Sequence, residues 1–389
     1  MGAPPIFTGP FLTAAAGNFL FFTNLAAYFL LPLHLKQLGT TEAGLGLIMG
    51  LYSGTAIVCQ PVVGVWVDRV GRRPFMLGGA ALAAIASLLF ALAPDALPLL
   101  ALLRVLQGLA SSMYFIASFA FVVTLVPAER RGQALGIFGI SGLTSTALGP
   151  ALGEVVVKAY GFRVFFAAAA ALAAAALLVT TRLGELPTRR PASPVGLAGL
   201  LGGILTAPRV PMALGLSFGL GTGVVFTFLP TYAATLGVER IGLFAIAYSL
   251  GALTVRAAAG RLIDTVGRRL IIVPALGLQT TAAIVLAVMG PLVARGGAPA
   301  GPLLVVTGLL AGTAHGFLYP ALSALVMDLT PEERRGLMIG VFSAFILTGQ
   351  AAGAMGFGYL AHVLGYPPMF GLLAACLAGA TALGFRLRS

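Results

Sequence analysis

Charged side chains are scarce in this 389-residue sequence: Asp, Glu, Lys and Arg together make up 9%, whereas hydrophobic types make up 59%. Soluble domains average about 25% charged residues. A soluble fold cannot bury so much apolar surface, because buried volume grows too slowly with chain length. The scarcity therefore argues against a soluble enzyme or binding domain and indicates a protein that is solvated by lipid.

Cysteine is nearly absent as well. Only Cys59 and Cys376 occur, each inside an apolar run, and no CxxC or Cys/His spacing is present. We therefore expect no disulfide framework, no metal site and no cofactor. The sequence also lacks a GxxxxGK[ST] phosphate loop, a nucleophile elbow and an HExxH pattern, so it predicts neither ATP-driven transport by this chain alone nor an enzyme. Residues 1–10 have no charge and no cleavage-site pattern, and we expect no cleaved signal peptide.

What is abundant is apolar sequence in runs of bilayer length, since a membrane-crossing helix needs about 20 such residues. The sequence predicts an all-α membrane protein of twelve transmembrane helices in two pseudo-symmetric six-helix bundles. The N-terminal bundle is expected at 1–183, a cytoplasmic linker at 184–210, and the C-terminal bundle at 211–389. The predicted spans are 10–33, 43–66, 74–93, 97–126, 133–157, 162–182, 211–235, 240–262, 270–292, 301–327, 337–361 and 364–386.

Basic residues give the chain a net charge of +12, yet they form no continuous patch. They sit in short clusters between the apolar runs, with 16 in loops on one predicted side and 5 on the other. Lys and Arg are enriched in cytoplasmic loops. The charge therefore predicts membrane orientation rather than nucleic-acid binding, with both termini in the cytoplasm.

Two loop sequences occur twice. GVWVDRVGRR at 64–73 recurs as GRLIDTVGRR at 260–269, which is 196 residues later. VPAERRG at 126–132 recurs as TPEERRG at 330–336, which is 204 residues later. Each pair falls in the equivalent loop of its half, so the halves are duplicates. Parallel repeats with a site between them are a transporter architecture.

At these loops the chain resembles the major facilitator superfamily, whose signature between the second and third helices reads G-x-x-x-D-R-x-G-R-R. The first copy matches it at Gly64, Asp68, Arg69, Gly71, Arg72 and Arg73, and the weaker second copy at Gly260, Asp264, Gly267, Arg268 and Arg269. The resemblance covers essentially the whole chain and is greatest to the twelve-helix drug/proton antiporter-like (arabinose efflux permease-like) bacterial members. It implies alternating access to a central cavity, with a small-molecule substrate and protons as partners.

The signature loop has a physical interpretation of its own. Asp68, at a helix end, can pair with the Arg cluster or face a neighbouring helix N-terminus, and Gly64 allows close helix approach. Breaking such contacts would release one helix from another, so we interpret the loop as a cytoplasmic latch. The alternative is that Arg72 and Arg73 are only positive-inside anchors.

Two further motifs extend the resemblance. LRVLQG at 103–108 resembles the R-x-x-Q-G motif of the family, whose Arg is often implicated in proton coupling. SGLTSTALGPALGE at 141–154 resembles the antiporter motif G-x-x-x-G-P-x-x-G-G at Gly149, Pro150 and Gly153. Ser145 and Glu154 replace the first and last glycines of that motif.

Ionisable residues within spans are functional candidates because they are costly in lipid. Arg104, Glu154 and His315 are the candidates for proton coupling. Each has a structural alternative: Arg104 could bond backbone carbonyls, Glu154 could pair with Lys158 one turn on, and His315 could be a hydrogen-bonded core residue. For Arg256 we favour snorkelling or pairing with Asp264.

Polar and aromatic residues on the expected cavity helices complete the predicted site. The candidates for the substrate cavity are Asn18, Asn24, Tyr28, Gln107, Ser111, Tyr114, Thr222, Phe226 and Tyr319. The sequence therefore predicts a secondary transporter, with proton-coupled export of a small organic molecule as the leading interpretation. An organic-anion or carboxylate carrier that uses Arg104 and His315, by uptake or export, is the alternative. A receptor or membrane-embedded enzyme on the same fold is a remote third.

Overall fold

The computed structural model describes residues 6–127, 130–186, 197–258 and 266–387, and all regular secondary structure in those ranges is helical. The first helices are α1 (Gly9–Ala27), α2 (Leu31–Gln37), α3 (Glu42–Val70), α4 (Arg72–Leu92), α5 (Leu97–Leu125) and α6 (Arg131–Thr181). After the linker come α7 (Leu197–Thr206), α8 (Arg209–Thr235), α9 (Gly242–Ala258), α10 (Arg268–Ala294), α11 (Ala300–Asp328), α12 (Arg335–Leu364) and α13 (Tyr366–Gly384).

Ten helical stretches in the described residues are long and apolar enough to cross a membrane, with α1 and α2 counted together. One of them, α6, is two helices joined at Gly161, whose φ of 79° and ψ of 176° are not helical. The shorter apolar helix α9 ends where the described residues stop. With these two the helices occupy the twelve predicted places, and the all-α membrane fold is confirmed.

The contacts divide the chain into two compact units. Unit 1 contains Met1–Leu30 and Thr55–Pro194, and unit 2 contains Leu31–Gly54 and Val195–Ser389. The division differs from the sequence prediction at residues 31–54, which pack with the second half of the chain. Inside unit 2, for example, Gly46 of this segment packs directly against the carbonyl oxygen of Ala354. The predicted boundaries at 183 and 211 therefore stay a prediction.

Duplication is visible in the backbone as well as in the sequence. Glycines with positive φ, a conformation that other residues rarely adopt, recur at equivalent helix boundaries of the two halves. The pairs are Gly39 and Gly237 (φ 78° and 71°), Gly71 and Gly267 (φ 120° and 85°), and Gly161 and Gly365 (φ 79° and 80°). Their spacings of 198, 196 and 204 residues resemble those of the two repeated loops.

Close helix packing depends on glycine where two backbones touch. Within unit 2, α8 and α12 meet so closely that a Cβ on Gly219 would collide with the carbonyl oxygen of Ile346, and one on Gly349 with that of Leu216. Within unit 1, a Cβ on Gly149 would lie 2.8 Å from the carbonyl oxygen of Thr23. Small residues are the usual solution for such contacts in membranes, because lipid provides no hydrophobic drive for helix association.

A tyrosine hydroxyl takes part in the backbone hydrogen bonding of α10. The Tyr232 hydroxyl donates to the carbonyl oxygen of Leu286 at 3.1 Å and accepts from the amide of Gly290 at 2.8 Å. These two backbone groups are four residues apart, the spacing of an α-helical hydrogen bond. A Cβ on Gly290 would lie 2.7 Å from the Tyr232 hydroxyl, so this arrangement requires glycine.

Candidate functional site

The signature loop is held by a carboxylate from outside it. Both oxygens of Glu185 accept backbone N–H groups at the start of α4, from Arg72 at 3.0 Å and from Arg73 at 3.0 Å. The Arg73 guanidinium also donates to the carbonyl oxygen of Thr181 at 3.0 Å. A Cβ on Gly71 would lie 2.8 Å from the Glu185 carboxyl carbon. The anion thus satisfies orphan amides at the positive end of the helix dipole.

The other expectations for the first copy of the latch, at Gly64, Asp68 and Arg69, stay predictions. No atom of the described residues lies within 4 Å of where a Cβ on Gly64 would be, and the close helix approach expected there stays a prediction. On the same stretch of α3, Val62 and Trp66 are both more than half exposed. Asp68 has no ion pair among the described residues, and Arg69 is exposed. The carboxylate that accepts the first amides of α4 is that of Glu185.

The second copy of the loop is held differently. Arg268 Nε donates to Asp328 Oδ2 at 3.0 Å, and the Arg269 guanidinium lies 5.8 Å from the centre of the Phe385 ring. Gly267 has positive φ like Gly71, but no described atom lies within 4 Å of its Cβ position. Gly260 and Asp264 of the predicted latch lie outside the described residues. The duplicated backbone turn is therefore stabilised by different side chains in each unit.

Arg104 lies in a buried polar cluster of unit 1. It is 5% exposed, and its guanidinium donates to Gln107 Oε1 at 2.8 Å one turn on. The Tyr28 hydroxyl is buried close to Gln107 and Ser87, and Asn24 Nδ2 donates to Ser87 Oγ at 2.9 Å. Gln107 Nε2, Tyr28 Oη and Asn24 Oδ1 are all buried without a hydrogen bond in the described structure. Unsatisfied buried groups of this kind are costly.

The remaining cavity candidates of unit 1 take part in helix packing. Asn18 Nδ2 donates to Ser141 Oγ at 2.7 Å. The Tyr114 ring stacks on Phe21 with centroids 4.0 Å apart, and its hydroxyl is 3.3 Å from Thr180 Oγ1. All six unit 1 candidates are less than 9% exposed in this structure: Asn18, Asn24, Tyr28, Gln107, Ser111 and Tyr114.

The antiporter-like segment keeps its close packing despite its departures from the motif. Ser145, in the place of the first glycine, is fully buried and donates through Oγ to the carbonyl oxygen of Phe19 at 2.8 Å. Gly153 packs against the Phe165 ring. Glu154, in place of the last glycine, forms an ion pair with Lys158 Nζ at 3.0 Å. The alternative that paired Glu154 with Lys158 is thus the one seen in the structure.

His315 belongs to an aromatic cluster of unit 2. Its Nδ1 is 2.6 Å from the Tyr248 hydroxyl, and its ring meets the edge of Phe218 at a centroid distance of 5.1 Å. Tyr319, one turn along α11, lies parallel to the His315 ring at 6.4 Å. His315 and Tyr319 are half-buried, whereas Tyr248 is 3% exposed. The histidine is therefore hydrogen-bonded but not sealed off.

A pocket adjoins this cluster within unit 2. Its wall includes Thr222 and Phe226 of α8, Tyr248 of α9 and Gln279 of α10, all polar or aromatic. The rest of the lining is small or apolar: Gly221, Val225, Ala282, Ala283, Ala311 and Leu377. Two predicted cavity residues, Thr222 and Phe226, are thus brought together in one pocket.

Arg256 is the residue whose surroundings sequence reasoning missed. It lies within electrostatic reach of the hydroxyls of Tyr248 and Tyr319, and of His315. The preferred partner in our prediction, Asp264, lies outside the described residues. A signal was available in the sequence: Tyr248 and Arg256 are eight residues apart, close to two helical turns, so they share one face of α9.

Among the described residues no group of three His, Cys, Asp or Glu side chains is placed to hold a metal ion. The geometry instead offers hydrogen-bonding and charged groups inside apolar helices, in both units. Such an arrangement can bind a small polar molecule or a proton; it holds no recognisable set of reacting groups. These features agree with transport as the broad function.

Comparisons with known proteins point the same way. The family model for the Major Facilitator Superfamily matches residues 11–301 and 292–389. The multidrug resistance protein MdtG of Citrobacter koseri is 28% identical over 367 residues, covering 89% of this chain and 85% of that protein. The staphylopine export protein of Staphylococcus aureus is 22% identical over 385 residues, covering 93% and 91%.

Solved structures agree on the fold. The human organic anion transporter MFSD10 matches with a TM-score of 0.71 and 20% identity, covering 98% of this chain and 100% of that one. Identity this low shows the fold alone. The family model spans nearly the whole sequence and the relatives are transporters rather than enzymes, so this chain belongs to the major facilitator superfamily.

Proposed function

We propose that this secondary transporter exports a small organic molecule in exchange for protons, by alternating access. The observation that carries the proposal is the near full-length similarity to proteins named for export and multidrug resistance. The antiporter-like segment with Gly149, Pro150 and Gly153 supports the same direction of transport. We place the protein in a bacterial plasma membrane, as a monomer with both termini in the cytoplasm.

Proton coupling needs a group that gains and loses a proton during the cycle, and Glu154 and His315 are the candidates of that kind. Glu154 is paired with Lys158, so protonation would break an ion pair near one end of its helix. His315 is hydrogen-bonded to Tyr248, so a proton would change that bond beside the pocket. Arg104 stays charged and would act on neighbouring groups by its field.

The proposal is tested by flux. Everted membrane vesicles that contain the protein are energised to make their lumen acidic, and uptake of a panel of labelled organic solutes is followed. We expect uptake of at least one solute, with loss of that uptake when an ionophore collapses the proton gradient. Uptake that is indifferent to the gradient would reject proton coupling.

Variants assign the proton carrier. Glu154→Gln and His315→Gln keep hydrogen-bonding capacity while removing the titratable group. The true carrier, when replaced, should abolish gradient-driven uptake and leave counterflow of solute in place. Lys158→Gln is the matched control for Glu154, because it breaks the same ion pair without removing the acid.

An organic-anion carrier is the second candidate. It is favoured by Arg104 and His315 within spans and by the lack of an acidic residue in the first helix. A thermal-shift panel that compares organic acids with organic cations distinguishes the two candidates. Stabilisation by cations alone would count against an anion carrier.

A further inference from the structure

The Arg256 side chain is a cation inside unit 2 whose charge is not balanced by a described acid. It is half-buried on α9, and no hydrogen bond or ion pair to it occurs among the described residues. A lone guanidinium is unfavourable in a membrane protein unless it reaches water or an anion. Its surroundings therefore decide what it can bind.

Backbone packing fixes the level of Arg256 in the bundle. Helices α9 and α11 approach so closely that a Cβ on Gly308 would lie 2.7 Å from the carbonyl oxygen of Phe244. A Cβ on Gly312 would collide with the carbonyl oxygen of Tyr248. In both contacts the residue numbers on the two helices differ by 64, and this spacing continues along both helices.

One turn further the contact is between Gly316 and Ala252, where the Cβ of Gly316 would be 3.1 Å from the carbonyl oxygen. If the same spacing of 64 residues continues for one more turn, Arg256 comes to the level of Pro320, which follows Tyr319 in the sequence. The guanidinium is accordingly within electrostatic reach of the Tyr319 and Tyr248 hydroxyls. Helix register and side-chain environment thus agree on where Arg256 lies.

Acidic residues of unit 2 lie at helix ends or between helices in the described residues. Glu42 is the first residue of α3, Asp328 is the last of α11, Glu239 lies between helices, and Glu332 begins a short 3-10 helix. None of these described acids lies in the middle of a helix. Among the described residues, the charged side chain that acts on His315 is Arg256, and the other neighbours of His315 include a tyrosine hydroxyl and aromatic rings.

We propose that Arg256 binds the negatively charged group of the cargo, with the Tyr319 hydroxyl as a second donor. The cargo class is a monovalent organic anion, and its apolar body would pack beside the half-buried rings of His315 and Tyr319. A guanidinium presents two parallel N–H groups to a carboxylate, which gives both strength and orientation. The inference rests on the proposed transport function and names the charge of its substrate.

Binding of matched probes to the purified protein in detergent tests the proposal. Naphthalene-2-carboxylate is compared with its neutral isostere naphthalene-2-carboxamide and with 2-naphthylmethylammonium, by calorimetry and thermal shift. We expect the carboxylate to bind at least tenfold more tightly than the amide, and the ammonium not to bind. Equal binding of carboxylate and amide, no carboxylate binding, or preference for the ammonium would overturn the proposal.

Variants locate the charge that is responsible. Arg256→Gln should weaken carboxylate binding by about 10- to 100-fold and leave amide binding unchanged. Arg256→Lys should weaken it less, because the charge is kept but the two-pronged geometry is lost. Tyr319→Phe should give a smaller loss and serves if Arg256→Gln does not fold. Arg240→Gln, in an exposed loop of the same unit, is the control and should bind like the unmodified protein.

A lipid headgroup could supply an anion to the same guanidinium, and a second arm separates this source. Short-chain phosphatidylglycerol is added in place of the carboxylate, and then together with it. We expect the carboxylate to bind without lipid. Stabilisation by the lipid alone, in an Arg256-dependent manner, would assign Arg256 to the membrane surface and overturn the cargo role.

Failure of this inference is distinguishable from failure of transport. Proteoliposome flux is measured in parallel with anionic, neutral and cationic solutes. If one of these is carried equally by the unmodified protein and by Arg256→Gln, the anion site is rejected while transport stands. If no solute of any charge is carried, the transport function itself is contradicted.

Discussion

The polar interiors of the two units differ although the backbone is duplicated. In unit 1 the cluster around Arg104 is closed: Arg104, Gln107 and Tyr28 are each at most 5% exposed. In unit 2 the cluster around His315 is open, since His315, Tyr319 and Arg256 are only half-buried. A duplicated scaffold has therefore diverged into one polar interior that is sealed and one that remains accessible.

This difference in exposure indicates that the cluster around Arg104 and the cluster around His315 have different roles. A sealed cluster contributes to stability through its internal hydrogen bonds, and removal of one member leaves buried partners unsatisfied. An accessible cluster contributes less to stability and more to ligand binding. The following variants test that contrast.

The largest effect is expected at the α9–α11 seam, which creates the open cluster. Gly312→Ala puts a methyl group against the carbonyl oxygen of Tyr248, so the two helices must separate. Overpacking of this kind costs about 3 kcal/mol. We expect a lower melting temperature and loss of carboxylate binding, measured by thermal unfolding and calorimetry.

Gly301→Ala on the same helix is the matched control. No described atom lies within 4 Å of its Cβ position, so the change should be neutral or slightly stabilising. Equal melting temperatures for Gly312→Ala and Gly301→Ala would show that the close seam is not required.

An intermediate effect is expected from the two arginines. Arg104→Gln removes the donor to Gln107 inside the sealed cluster and should destabilise the protein by about 2 kcal/mol. Arg256→Gln should change stability by less than about 0.5 kcal/mol, because it removes no described hydrogen bond. Thermal unfolding of both variants measures the contrast, and a larger loss for Arg256→Gln would reverse our assignment of the two clusters.

The smallest effect is expected at the Gly71 turn, with an exposed carboxylate elsewhere as the control. Glu185→Ala removes the side chain that accepts the first amides of α4 and should cost about 1 kcal/mol. Glu332→Ala removes an exposed carboxylate of unit 2 and should have almost no effect. Amide exchange of Arg72 and Arg73 provides a local measurement, and unchanged exchange in Glu185→Ala would remove the capping role.

Sequence patterns were sufficient for the fold because lipid leaves few choices. Apolar runs of bilayer length must be helical, and duplicated glycines mark the same turns in both halves. Gly71 and Gly267 were found as members of the signature loop and both have positive φ. The assignment of 31–54 to unit 2 could not be predicted, since it depends on which surfaces meet, and sequence periodicity carries no information on that.

The candidate site was only partly predictable, because its contacts also depend on which helix surfaces meet. Spacing placed Arg104 with Gln107 and singled out His315, because an ionisable residue in an apolar run stands out. Arg256 was interpreted as an interfacial residue, since the register between α9 and α11 is a tertiary property. Glu185 was overlooked because it follows the last helix of its half, where no periodic pattern indicates a partner.

Because the Gly290 amide of α10 donates to the Tyr232 hydroxyl of α8, its hydrogen exchange depends on the contact between these two helices. The N–H of Gly290 bonds to a side chain of α8, so its hydrogen can exchange with solvent when α8 and α10 separate, even if α10 stays coiled. Amides without such a cross-link report only the unwinding of their own helix. The rate of deuterium uptake at Gly290, compared with that of neighbouring amides, would measure how often α8 and α10 separate during transport, without any added label.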